Sequence, residues 1–171
     1  MEVTFNPCVT DEDFAKVSLF LLERKFDLHP SYTTLQMVAL LYSYITEGSL
    51  HHGALPDGRV IGAAAYYHGT PGRGFTDKDV ALIDIVILDQ SYRGTRFFLY
   101  SLEYMIDWIQ NRHPEVQEVR FTALSENAYL CKLYSKFSAF AYKQEGNTGE
   151  ETVFSENITK IGVTLARYRR V

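Results

Sequence analysis

Cysteine is scarce. The 171-residue chain holds two, Cys8 and Cys131. They lie far apart and match no metal or redox spacing. A structural disulfide between them is the lesser alternative, and two buried thiols in a reducing cytoplasm are expected. Surplus positive charge is missing too. Seventeen Lys and Arg against 21 Asp and Glu leave a net charge of −4. That argues against a general nucleic-acid binder, because phosphate backbones demand a basic surface. Long apolar runs are also lacking. The uncharged stretch Ser31 to Thr46 contains Gln, Thr, Ser and Tyr and falls short of the roughly 18 apolar residues of a spanning helix. The first residues include Glu2, Asp11, Glu12 and Asp13, unlike a secretory signal. Without such a signal, the sequon Asn157-Ile158-Thr159 carries no weight. No internal repeat, linker or low-complexity stretch interrupts the chain. His51 and His52 are neighbours on a strand and so face opposite ways, while His29, His68 and His113 are isolated along the chain. The reading is a cytoplasmic protein with no metal, nucleic-acid or membrane partner.

What is present suits one soluble domain spanning residues 1–171. Hydrophobic residues make up 46% and charged residues 22%, enough for a substantial core. Val3 to Phe5 reads as a strand. Thr10 before three acidic residues opens a helix toward Lys25, with Phe14, Val17 and Leu21 at helical spacing. A second helix is expected from about Ser31, with Leu35, Val38, Leu41 and Ile45 on one face. Ser49 to Leu55 and Val60 to Tyr67 flank Pro56-Asp57-Gly58-Arg59, a hairpin turn. Val80 to Leu88 is a near-continuous apolar strand, expected to be covered on both faces. A helix to about Asn111 lines up Phe98, Leu102, Met105, Ile106 and Ile109. Val119, Phe121 and Ala123 alternate as a strand, and Asn127 opens a short helix ending near Phe137. Phe140 to Lys143 and about Thr152 to Leu165 read as strands around a Gly146–Gly149 turn. The order is mixed α/β.

The most informative stretch is Asp84-Ile-Val-Ile-Leu-Asp-Gln-Ser-Tyr-Arg-Gly-Thr-Arg96. An apolar strand runs into a short basic turn and then directly into a helix, an arrangement suited to holding phosphate.

This turn resembles the pyrophosphate-binding turn of the GNAT superfamily of acetyl-CoA-dependent N-acetyltransferases. Arg93 matches its start and Gly94 a glycine common there. Arg96 and Phe98 stand where the two motif glycines belong. A second segment, Asn127-Ala-Tyr-Leu-Cys-Lys-Leu-Tyr134-Ser-Lys-Phe, is similar to the family's Asn…Leu-Tyr-x-Lys segment. The family's following Gly-Phe is replaced by Ser138-Ala139, with Phe140 one place late. The element order covers the whole chain, the two motifs only about residues 84 to 140. The resemblance implies a GNAT-like α/β fold, a mixed, mostly antiparallel sheet of about six or seven strands flanked by four helices.

The resemblance also implies acetyl-CoA as co-substrate and assigns roles. Backbone amides of Arg93, Gly94, Thr95, Arg96, Phe97 and Phe98 would take the pyrophosphate, with Arg93 and Arg96 able to pair with it directly. Backbone groups from Ile85 through Val86, Ile87 and Leu88 would pair with the pantetheine arm, and one N–H there would polarise the thioester carbonyl. Asn127 would bridge the strand–helix junction and reach the cofactor, or simply cap its helix. Tyr134 is the implied general acid for the leaving thiolate. A phenol near 10 and a thiol near 8.5 differ by roughly 1.5 units, about 2 kcal/mol. With 12 tyrosines in the chain, a plain packing role stands beside that one. Asp84 interrupts an apolar strand, which is costly for a carboxylate unless it is paired or functional. Its position, similar to the catalytic Glu of spermidine/spermine-type enzymes, makes it the candidate base. Tyr32 is placed in the region that walls the acceptor pocket. Arg167, Arg169 and Arg170 read as a solvated end. The resulting function is direct acetyl transfer to a primary amine of a small molecule or peptide, with a homodimer compatible. The alternative is a non-catalytic acyl-CoA-binding or degenerate module, and a scaffold using its open sheet edge is a third.

Overall fold

A computed structural model describes residues 2–169. Seven strands form a sheet in the order β1-β2-β3-β4-β5-β7-β6. The strands are β1 Thr4–Pro7, β2 Ser49–Ala54, β3 Val60–His68, β4 Val80–Leu88, β5 Glu118–Leu124, β6 Ala139–Gly146 and β7 Gly149–Asn157. Six α-helices accompany them: α1 Asp11–Glu23, α2 Lys25–Leu28, α3 Thr34–Thr46, α4 Phe97–Arg112, α5 Ala128–Tyr134 and α6 Ile158–Arg169. The pairing of β4 with β5 is parallel. β1 with β2, β2 with β3, β5 with β7 and β6 with β7 are antiparallel. The mixed, mostly antiparallel α/β architecture is the expected one, with six helices instead of four. Among the described residues no helix is long and apolar enough to cross a membrane.

The chain gathers into two compact units. One holds the residues up to Tyr66 together with Ile85–Thr95; the other holds Tyr67–Asp84 and the residues from Arg96 onward. In the first, α1 starts on a capping box. Thr10 accepts from the Asp13 N–H at 3.1 Å and the Asp13 carboxylate accepts from the Thr10 N–H at 3.0 Å, satisfying two helix-end donors. Val17, Phe20 and Leu21 of α1 and Met37, Leu41 and Tyr44 of α3 are buried. The expected α3 face is corrected here. Of its four residues only Leu41 faces the core, while Leu35, Val38 and Ile45 are 78%, 47% and 42% exposed. Apolar residues occur on two sides of this helix, so spacing alone selects the wrong one. His51 and His52 do face opposite ways. His51 is buried beside Ser49, and His52 lies 3.6 Å from the Cys8 sulfur. Both cysteines are free.

In the second unit α4 buries Leu102, Met105, Ile106 and Ile109, the expected stripe, and Phe98 is half-buried. The last expected strand is corrected. It ends at Asn157, and residues 158–169 are helical. The Asn157 side chain accepts from the N–H groups of Thr159 and Lys160 at 3.0 and 3.1 Å, a helix cap. Ile158, Ile161 and Leu165 are buried at helical spacing, a signal present in the sequence and masked by its β-branched residues. Arg167 and Arg169 are exposed, as expected, with Arg169 3.6 Å from Glu103; Arg170 lies outside the described residues. His68 and His113 are not isolated. Their rings stack with centroids 3.9 Å apart.

Candidate active site

At the C-terminal end of β4 the chain makes a tight transition into α4. The Asp89 side chain accepts from the Ser91 N–H at 3.0 Å and starts a 3-10 turn over Gln90–Tyr92. Gly94 follows with φ +72°, and nothing lies within 4 Å of where its Cβ would be. A side chain there would be strained and would fill open space. Arg96 is the N-cap of α4, and its side chain makes no capping hydrogen bond to the helix. A 16-residue helix therefore presents its positive dipole end and first-turn amides without a side-chain cap from this residue. The Phe98 ring lies 6.5 Å from that of Tyr134. The side chain at this motif-glycine position thus turns toward an aromatic cluster, not along the turn. Arg96 is exposed.

A polar cluster that the sequence reading missed braces this transition. Arg24 at the end of α1 pairs with the Asp89 carboxylate and lies 4.0 Å over the Phe20 ring. The Arg24 guanidinium holds the Asp89 carboxyl below the usual carboxylate range. Asp27 of α2 accepts from Arg93 at 2.8 Å and from the Gln90 amide at 3.1 Å. Arg93 also donates through Nε to the Leu88 carbonyl at 3.2 Å. Its guanidinium thus braces the turn. These partners lie 63 to 66 residues apart in the chain, and no local pattern announces them. Asp27→Ala should loosen the turn, because it removes charge-assisted bonds that position it. Faster amide hydrogen exchange over residues 89–95 checks this; unchanged protection would show that the brace does not matter.

Within the second unit, β4 and β5 pair from Val80↔Glu118 to Ile83↔Phe121. No register between them continues past that pair among the described residues, although β4 runs on to Leu88 and β5 to Leu124. Asp84, the next residue, is half-buried, and Thr122 Oγ1 donates to its Oδ1 at 3.3 Å. Strand alternation places Thr122 and Leu124 on one face of β5, and register places Val153 and Glu151 of β7 beside them. Glu151, also missed, shares the Asp84 face. Burial first, and then the charge of Asp84, push its carboxyl above the ordinary range; Gln144 donates to it at 3.0 Å.

Tyr134, the last residue of α5, lies on the other face. Its ring stacks on Phe121 at 4.9 Å, with Phe154 at 6.0 Å and Phe137 at 6.1 Å. It is 1% exposed. Burial, then the charge of Asp84, push its phenol well above the ordinary tyrosine value. Asn127 is the N-cap of α5, its Oδ1 accepting from the Leu130 N–H at 3.0 Å. Tyr32, half-buried between α2 and α3, has its ring edge-on to His29 at 6.5 Å.

No family model matches the chain, and no curated protein does. Solved structures do. An aminoglycoside acetyltransferase in complex with coenzyme A superposes with a TM-score of 0.72 at 18% identity, over 95% of this chain and 99% of that one. The chain has the GNAT fold. An acetyltransferase of the GNAT family from Streptococcus pneumoniae matches with a TM-score of 0.66 at 14% identity, over 91% of this chain and 99% of that one. A ribosomal-protein-S5-alanine acetyltransferase from Vibrio fischeri matches with a TM-score of 0.67 at 11% identity, over 92% and 93%. In this GNAT fold the glycine positions filled by Arg96 and Phe98 lie at the start of α4.

Proposed function

We propose that this protein is an N-acetyltransferase that moves the acetyl group of acetyl-CoA to a primary amine by direct attack. The observation that carries the reading is the β4–turn–α4 transition, with open backbone at Gly94 and a helix start lacking an N-cap side-chain bond. It stands in a fold shared with a coenzyme A complex. The pyrophosphate sits on the amides of residues 93–98. The pantetheine arm extends β4 by bonding to the backbone of Val86, Ile87 and Leu88. The amine nitrogen attacks the thioester carbonyl carbon, and the tetrahedral oxyanion is held by a β4 N–H. As the C–S bond breaks, Tyr134 hydrogen-bonds to the departing sulfur.

The raised phenol pKa refines that last role. A full proton transfer to a thiolate near 8.5 is more uphill than the roughly 1.5-unit gap between unperturbed groups. Tyr134 therefore acts as a neutral donor throughout, stabilising charge as it develops on sulfur. Asp84 and Glu151, on the opposite face of β5, take up the ammonium and accept its proton. An acid on one face and carboxylates on the other suit direct attack, in which nucleophile and leaving group act on different sides of the carbonyl. Two neighbouring carboxylates favour a cationic acceptor over a neutral one.

Release of coenzyme A thiol from acetyl-CoA, followed across a panel of polyamines, aminoglycosides and peptide N-termini, tests the proposal, with calorimetry on coenzyme A alongside. Turnover with at least one amine is expected. Binding without turnover would favour a non-catalytic acyl-CoA-binding module, a reading to which the fully enclosed Tyr134 ring lends weight. Absence of binding would remove the cofactor assignment.

A further inference from the structure

We propose that His68, His113 and Glu115 form a binding site for a divalent transition-metal ion, with zinc the best match. His68 is the last residue of β3, and His113 is the C-cap of α4, its N–H donating to the Ile109 carbonyl at 2.8 Å. A tight turn then closes from the Val116 N–H to the His113 carbonyl at 3.0 Å, which swings Glu115 back beside the two rings. Two separate stretches of sequence thus converge on one point through backbone that is already hydrogen-bonded.

The ligand atoms lie close enough together for one ion. One ligating atom from each residue lies within 4.8 Å of the others. The imidazoles stack at 3.9 Å between centroids, tilted by 26°. His68 Nε2 and Glu115 Oε1 are 3.1 Å apart. Tetrahedral zinc, with bonds of about 2.0 to 2.2 Å, needs ligand atoms about 3.4 Å apart. Ring nitrogens donate in the plane of the ring, so the two stacked imidazoles must rotate apart to face one ion, and Glu115 is exposed enough to follow. Two imidazoles and a carboxylate suit zinc, nickel or copper and not calcium or magnesium, which take oxygen ligands. Three protein ligands leave a fourth position for water.

His68 Nε2 lies 2.9 Å from the Lys78 carbonyl oxygen, so ligation through Nε2 replaces that hydrogen bond and leaves the ring proton on Nδ1. Lys78 Nζ donates to the His68 carbonyl at 2.9 Å, and the charges of Lys78 and Arg112 both bear on His113. The ion enters against these cations with one carboxylate in its favour, so a moderate-affinity site is expected. A bound ion would tie the end of β3 to the entry of β5. None of the three residues belongs to the acetyl-transfer machinery proposed above, so this inference stands independently of it.

The full chain, tag-free and stripped with chelator, is titrated with zinc by calorimetry and with cobalt by visible absorption. One zinc per chain is expected, with cobalt bands of nitrogen and oxygen ligation. Glu115→Gln, at an exposed position that leaves folding intact, should weaken binding by at least roughly tenfold. His113→Asn should abolish it, and Cys8→Ser should leave it unchanged. The Cys8–His52 pair is the competing site. A cobalt–thiolate charge-transfer band, loss of binding in Cys8→Ser, binding indifferent to Glu115→Gln and His113→Asn, or no saturable binding at all would each overturn the proposal.

Discussion

Tyr134→Phe is expected to lower kcat roughly 100-fold. The substitution deletes one oxygen and keeps the ring, so the stack on Phe121 and the contacts with Phe137 and Phe154 survive. Stability should change by less than about 1 kcal/mol, because volume and shape are nearly conserved. The KM for acetyl-CoA should stay near its original value, since the lost bond forms only as the C–S bond breaks. The raised phenol pKa sharpens the expectation. The hydroxyl remains protonated across the useful pH range, so no basic limb from Tyr134 should appear in the rate profile below about pH 10. Initial rates of thiol release, with urea unfolding of both proteins as control, check this. A variant retaining kcat within about threefold would mean that Tyr134 is a core aromatic only.

Acidification from about pH 7 to about pH 4.5 is expected to remove about 2 kcal/mol of stability through His51 alone. His51 is 1% exposed on β2, 2.8 Å from the Ser49 hydroxyl and 5.8 Å from the Tyr66 ring. Burial, and secondarily the charge of His52, push its pKa from 6.5 down to about 4. Below pH 6.5 the unfolded chain takes a proton that the folded chain refuses until about pH 4. The unfolded state therefore binds more protons throughout that window, and stability falls as the pH falls through it. Below the folded value both states are protonated and the loss stops growing. His51→Gln keeps a polar group near Ser49 and removes the titration. Urea unfolding of both proteins at the two pH values should show the variant losing about 2 kcal/mol less. Equal losses would rule His51 out as the source.

Element types were largely legible because their causes are local. Thr10 with Asp13, Asn127 before α5 and the Pro56–Arg59 turn each act over a few residues, and the structure holds them as expected. The α3 face and the α6 helix were not. Leu35 and Val38 are as apolar as Met37 and Leu41, and only packing decides which pair is covered. Residues 158–165 carry β-branched side chains that suit either structure, and burial of Ile161 and Leu165 selects the helix.

The candidate site divides the same way. The β4–turn–α4 transition, its one positive-φ glycine and the positions of Asp84 and Tyr134 follow from the order of residues, since a strand, a glycine and a helix start need only their neighbours. What those groups touch was decided by the tertiary structure. Long-range contacts commit Arg93 to Asp27, bring Glu151 beside Asp84, set Tyr134 on the opposite face of β5 and stack His68 on His113. Strand register and burial act between residues tens of positions apart, where no periodicity or spacing in the chain can report them.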